Sequence, residues 1–418
     1  MFFPLVSRWR YVIHLILFVG AGAALGVSPA AADDFQQRQW HLDAMAAQEL
    51  WSVSTGKGIT VAVIDSGVDP IAELRGKVVD KKNFAGEPPA DGGDGNGHGT
   101  HMAALIAGTG ASGGTQGLAP GTSIISLQTD YRNYSVLDLS VESWIRSIRY
   151  AADHGARIIN FSQGVSGLPS DEKRRLQEAI DYAIGKGLLF FAATGNDAKV
   201  DNVAGYPSSS SGVVGVAAVD RSGKVAKFSN FGPQVKLAAP GVDIPGRCEK
   251  GGGLCRYEGT SAATALASAS AALIWSKHPT WTNNQVLRVM MQTASKPKGK
   301  VPSQYIGYGI IRPGQVLIDG KGDPGEPDVN PLMPREAEKG KEEKPAERPT
   351  SIATSPSGEA TRRAESEDGR HAVDGLASPD SGDGGSGLLW PVLGMGGGVV
   401  VLGAVAFFVR RRRPQSRI

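Results

Sequence analysis

Ile59-Thr60-Val61-Ala62-Val63-Ile64, running straight into Asp65-Ser66-Gly67, is the stretch that decides the fold. It is of strand length, rich in β-branched residues, and apolar at five of its six positions. A strand with one wet face would alternate, so this one is buried on both faces, as strands in parallel sheets are. The same signature returns downstream at Arg157–Phe161 (RIINF), Leu188–Ala193 (LLFFAA) and Val213–Val219. Between these runs the period changes. Leu139, Trp144, Ile145, Ile148 and Ala152 fall at helical spacing, and Asp171–Lys186 sets Leu176, Ile180 and Ile184 on one face with charges on the other. Apolar strands alternating with amphipathic helices predict an α/β domain over 59–319, its predominantly parallel sheet covered by helices on both faces. In such sheets the reactive groups sit at the carboxyl ends of the strands.

Three short segments carry candidate chemistry. Val63-Ile64-Asp65-Ser66-Gly67 places an acid directly after a buried strand. Gly97-His98-Gly99-Thr100-His101-Met102-Ala103 sets a histidine between a glycine-rich loop and a run of small residues. Gly259-Thr260-Ser261-Ala262-Ala263 opens a helical run from Ala262 to Trp275. Singly, each has an ordinary structural explanation: a strand-end turn, a structural histidine, a helix cap. As a set they supply a carboxylate, an imidazole and a hydroxyl, the components of an activated serine nucleophile.

The texts D-S-G, H-G-T-H and G-T-S-A-A, in the order Asp, His, Ser, resemble the motifs of the subtilase family, and the resemblance extends from Gln39-Trp40 to about Ile318. It implies the subtilisin-like fold and a serine endopeptidase acting on protein or peptide substrates without a cofactor. Ser261 would be the nucleophile, His98 the general base and then acid, and Asp65 the group that orients the imidazole. Ala192-Ala193-Thr194-Gly195-Asn196 resembles the family's oxyanion segment and makes Asn196 the side-chain donor beside the Ser261 backbone N–H. Asn160-Phe161-Ser162-Gln163-Gly164 resembles its substrate-pairing strand, so Ser162, Gln163 and Gly164 are expected to bind an extended peptide by β-addition. The Gly-rich run from Asp91 is no EF-hand, because Met102 stands where the bidentate Glu is needed. No metal site is assigned. Asp94 reads as a solvated loop acid, or else as a group that positions the His98 loop.

Outside the domain, the chain reads as an exported, anchored protein. Arg8 and Arg10, an apolar stretch from Tyr11 to Leu25 and Ala30-Ala31-Ala32 make 1–32 a cleavable signal peptide. Residues 33–58 form a short N-terminal extension, about 26 residues before the first core strand, too few for a folding propeptide. The Pro-, Glu-, Lys-, Ser- and Gly-rich segment 320–387 cannot bury enough apolar surface to fold and reads as a disordered linker reaching about 45 Å. Leu388–Val409 carries no charge and is long enough, at roughly 33 Å as a helix, to cross a bilayer. Arg410–Arg413 in the tail 410–418 would hold that end in the cytoplasm, which places the enzyme outside the cell, attached to the cell membrane by a single span. Cys248 and Cys255 are the only cysteines. In an exported chain a disulfide is the natural pairing, with free thiols as the alternative. The net charge of +3, its basic excess concentrated at the C-terminus, excludes nucleic acid as the expected partner.

A short extension together with a C-terminal anchor resembles the mycosins, membrane-anchored subtilases associated with type VII secretion, which makes that secretion machinery the implied partner. Mycosins commonly carry more cysteines than this chain. The family also favours a large apolar residue after the serine and a proline four positions on, where this chain has Ala262 and Ala265. Those alanines are what an alternative would rest on, a weakly active or inactive protease-fold scaffold that stabilises a secretion complex.

Overall fold

Strand β1 is Thr60–Asp65, and every residue from Val61 to Asp65 is buried. It lies inside a seven-stranded sheet, a computed structural model describing residues 35–85, 94–129, 137–248 and 254–333 of the chain. The other strands are β2 (Val78–Asn83), β3 (Ser123–Gln128), β4 (Ile158–Phe161), β5 (Leu189–Ala193), β6 (Val214–Val219) and β7 (Val235–Pro240). Their order is β2-β3-β1-β4-β5-β6-β7, and every pairing is parallel. From β1 the chain goes to the edge strand β2, returns to β3 beside β1, and then winds outward on the other side from β4 to β7. The carboxyl ends of β1, β4 and β5, which precede Ser66, Ser162 and Thr194, therefore open onto one crevice.

The period-two pattern of the strands sorts side chains into two cores. Val61, Val63, Leu189 and Phe191 face the first core, while Ala62, Ile64, Phe190 and Ala192 face the second. Helices α4 (Leu137–Asp153) and α5 (Ser170–Gly185) cover the second through Trp144, Ile148, Leu176 and Ile180. The first core is built on α3 (His98–Ala107), α6 (Thr260–Lys277) and α7 (Asn283–Thr293). Helix α6 is buried on all sides from Ala262 to Trp275. Its alanines, serines and threonines suit that place, because small side chains let strands and helices approach from every direction. The hydroxyls of Thr264 and Ser270 are satisfied by carbonyls one turn back, Thr260 O and Leu266 O, each at 2.8 Å.

Two segments outside 59–319 pack onto this body. Short helices α1 (Trp40–Ala44) and α2 (Ala47–Val53) send Trp40, Leu42 and Leu50 into the first core, and Met45 joins them from between the helices. Residues 320–333 run along α7, where polar side chains hold their backbone. Arg288 donates to Pro324 O, to Glu326 O at 2.9 Å and to Val329 O at 2.5 Å, and Gln285 Nε2 donates to Gly325 O at 2.8 Å. A stretch with little apolar content is thus ordered by carbonyl acceptors, a signal that composition does not carry. Cys248 and Cys255 are disulfide-bonded at the end of the hairpin β8 (Ile244–Arg247) and β9 (Leu254–Tyr257). No helix among the described residues is long and apolar enough to cross a membrane. The expected signal peptide, the expected span 388–409, the basic tail and the linker from residue 334 onward lie outside the described residues.

Candidate active site

Asp65 is the last residue of β1 and is 1 % exposed. Its Oδ1 accepts from Ser66 N–H at 2.7 Å and lies 2.7 Å from His98 Nδ1. A carboxylate so placed holds the proton on Nδ1 and leaves Nε2 as the basic nitrogen. The His98 side chain is 25 % exposed, so the imidazole is anchored at one end and accessible at the other. Two glycines permit this approach. Gly97 caps α3 with φ 81°, in the left-handed region, and a Cβ on Gly99 would stand 2.2 Å from Gly67 O and 3.0 Å from the Asp65 Cβ.

Asp94 is not the solvated acid favoured by its loop. It is 8 % exposed and gathers the turn around His98. Its Oδ2 accepts from Thr100 N–H at 2.7 Å and Thr100 Oγ1–H at 2.6 Å, and its Oδ1 accepts from Gly97 N–H at 3.0 Å. Ser66 Oγ donates to Asp94 Oδ1 at 2.7 Å and accepts from Gly99 N–H at 3.0 Å. Asp94 therefore satisfies orphan donors at the start of α3 and ties that helix to the residue after Asp65. The signal available in sequence was its position four residues before the histidine, at a helix start.

Ser261 lies in the first turn of α6, where backbone N–H groups are unpaired and the helix dipole is positive. Its Oγ donates to Ser162 O at 3.2 Å, joining the carboxyl end of β4 to the helix. A buried polar chain fixes this junction: Ser268 Oγ donates to Asn160 Oδ1 at 3.1 Å, and Asn160 Nδ2 donates to Ser162 Oγ at 3.0 Å. Of the expected peptide-binding residues, Ser162 and Gly164 line the cleft, and so does Gln163. The Gln163 side chain, however, is committed inward. Its Oε1 accepts from Thr129 Oγ1–H at 2.8 Å and from Trp144 Nε1–H at 3.0 Å. What Gln163 can offer a ligand is its backbone. Ala262 and Ala265 are 2 % and 0 % exposed, packed in the core beside Ser261.

Asn196 follows β5, and its amide orientation is set by Thr260. Asn196 Oδ1 accepts from Thr260 N–H at 2.9 Å and from Thr260 Oγ1–H at 3.0 Å. With the oxygen occupied, Nδ2 is the group left to donate, and no described protein group accepts from it. Thr260 Oγ1 in turn accepts from Gly195 N–H at 3.2 Å, which pins the loop. Thr260 thus positions the amide, a role the motif alone did not reveal. His98, Ser162, Asn196 and Ser261 border one open cleft of about 600 Å³. The arrangement can abstract a proton from a hydroxyl and donate hydrogen bonds to a developing oxyanion beside it.

Two other histidines have a different character. His41 and His101 are 0 % and 3 % exposed, and none of their ring nitrogens has a partner. Burial pushes both down to about 3, helped at His101 by the nearby His98 and His41. His101 stacks on Tyr257 with centroids 4.1 Å apart. Both are core imidazoles held neutral, distinct from the accessible His98.

Residues 56–309 match the subtilase family (Peptidase S8). The thermostable alkaline protease of Halalkalibacterium halodurans is 35 % identical over 260 residues, covering 62 % of this chain and 68 % of that one. Among solved structures, MycP1 from Mycobacterium smegmatis superposes with TM-score 0.61 at 28 % identity over 70 % of this chain and 87 % of its own. The MycP3 protease from the type VII (ESX-3) secretion system gives 0.57 at 30 % identity over 66 % and 87 %. Both are mycosins. With the fold, the motif order and these relatives in agreement, the chain belongs to the subtilase family of serine endopeptidases.

Proposed function

We propose that the protein cleaves exported proteins outside the cell with Asp65, His98 and Ser261 as a catalytic triad. The observation that carries this reading is the 2.7 Å contact from buried Asp65 to His98 Nδ1, in the same cleft as a serine at a helix N-terminus. In the reaction, Ser261 Oγ exchanges its contact with Ser162 O for His98 Nε2, loses its proton there and attacks the carbonyl carbon of the scissile peptide bond. Asn196 Nδ2 and the Ser261 N–H stabilise the oxyanion. Protonated His98, steadied by Asp65, returns the proton to the departing amine, and the acyl-enzyme is then hydrolysed by water activated at the same imidazole. The substrate lies extended along Ser162–Gly164 and adds a strand through backbone hydrogen bonds.

Residues 1–32 direct export, 33–58 lead into the catalytic body over 59–319 and pack against it, the linker 320–387 tethers it beyond the stretch held along α7, 388–409 anchor it and 410–418 remain in the cytoplasm. The Cys248–Cys255 disulfide accords with an oxidising compartment. Likeness to a protease from a type VII secretion system supports that machinery as the partner and its cargo as the substrate. The test is to replace the chromosomal gene by Ser261→Ala and compare exported proteins by mass spectrometry. A cargo protein that accumulates at full length supports the reading. Identical fragments in both strains, with export lost only on deletion, would establish the scaffold alternative.

A further inference from the structure

We infer that the cleft beside Ser261 selects a lysine or arginine side chain on the substrate residue whose carbonyl is attacked. The inference rests on the protease reading above and specifies its substrate. Two walls of the cleft are the segments that follow β4 and β5, and these same segments flank Ser261 and carry Asn196. A side chain from the residue bearing the attacked carbonyl enters between them.

The lining has two distinct parts. Ala193, Val165, Val200 and Val203 supply apolar surface, and Val200 is 86 % exposed. Asp197 and Asp201 supply two carboxylates, and among the described residues no lysine or arginine lines the cleft. Neither acid has an ion-pair partner among the described residues. Asp201 Oδ1 accepts only a long contact from Val203 N–H at 3.4 Å, and Asp197 contributes backbone rather than carboxylate to the local bonding. A cleft that sets apolar side chains beside carboxylates without an ion-pair partner matches a long aliphatic stem with a cationic end. It disfavours an acidic residue, and an aromatic one would leave both charges unanswered.

The loop bearing these acids is held in place. Asp197 N–H donates to Asn230 Oδ1 at 2.7 Å, and Asp197 O accepts from Val200 N–H at 2.8 Å and Asp201 N–H at 3.2 Å. Asn202, at φ 46°, exchanges hydrogen bonds with Phe231 at 2.9 and 3.1 Å, while Asn230 Nδ2 donates to Val203 O at 3.1 Å. The carboxylates therefore stand on a backbone fixed before substrate arrives, which lowers the cost of ordering them on binding.

The full-length protein in detergent should be treated with two peptidyl diphenyl phosphonates, identical except for a lysine-like or phenylalanine-like side chain next to phosphorus. A small alkyl fluorophosphonate, which needs only a reactive serine, reports the protease reading separately. We expect the lysine-like probe to react about ten-fold faster, with the ratio falling about three-fold in Asp197→Asn or Asp201→Asn and shrinking as salt rises. Asp171→Asn, an equal charge change on α5 away from the cleft, should keep the wild-type ratio. Fluorophosphonate labelling of the cleft variants shows that their sites remain assembled. A ratio at or below one, or one unchanged in the double variant Asp197→Asn/Asp201→Asn, overturns the inference while fluorophosphonate labelling leaves the protease reading standing. No labelling by any probe overturns both.

Discussion

Asn196 is held by Thr260 so that only its amide donor faces the cleft, which makes its contribution separable from substrate binding. Asn196→Ala should lower kcat by about a hundred- to a thousand-fold with little change in KM. Steady-state kinetics on a cleaved peptide checks this, and a loss confined to KM would move Asn196 out of the oxyanion role. Asp94 makes the opposite kind of contribution. Asp94→Ala strands the N–H groups of Gly97 and Thr100 and the Thr100 hydroxyl near a helix start. It should cost about 3 kcal/mol of unfolding free energy, measured by denaturant titration. At this scale the motifs made Asp65, His98, Ser261 and Asn196 legible, because each follows a strand or opens a helix. The second carboxylate was legible only in part: its place four residues before His98 offered a positioning role, but whether a loop acid is solvated or buried depends on donors brought from Ser66 and Thr100. Gln163 illustrates the same limit, since its side chain is claimed by Thr129 and Trp144 from distant elements.

Helix α6 places the proposed nucleophile, and its uniform burial makes it intolerant of added volume. Ala271, fully buried in the first core and well away from Ser261, offers a clean test. Ala271→Leu should destabilise the protein by about 1–3 kcal/mol, read as a lowered Tm. A Tm equal to wild type would mean that the helix sits in looser surroundings than described. Elements buried on both faces were readable as apolar runs, and the ends of β1, β4, β5 and β6 fall within one residue of the expected strands. β2 was not readable. Its sequence VVDKKN is largely exposed at the sheet edge, and Lys81 reaches Val68 O rather than a core. Edge strands carry such charges as protection against pairing with other chains, which hides them from hydrophobic patterning.

At the scale of the whole molecule, the N-terminal segment is part of the folded body, and it brings His41 into the interior with His101. The folded state keeps both neutral down to about pH 3, whereas the unfolded chain takes up protons below about pH 6.5. The unfolded state therefore binds more protons between those limits. Stability is complete above about pH 6.5 and falls as pH drops toward 3, by up to about 1.4 kcal/mol per pH unit for each histidine. His41→Leu should roughly halve the part of the slope owed to the pair, measured by thermal unfolding at pH 7, 5 and 4. An unchanged slope would show that the imidazole is not kept neutral by burial. The overall plan of an α/β body was legible from alternating patterns, but the docking of residues 35–58 was not, because Trp40 and Leu50 find their partners only in the assembled core.

All of this turns on whether Ser261 is an activated nucleophile. Intact-mass and peptide-level spectrometry of the protein after brief exposure to a fluorophosphonate tests that directly. The account predicts one adduct, located on Ser261, absent in Ser261→Ala and formed about ten-thousand-fold more slowly in His98→Ala. An unlabelled wild type, or an adduct that persists in Ser261→Ala, would contradict it.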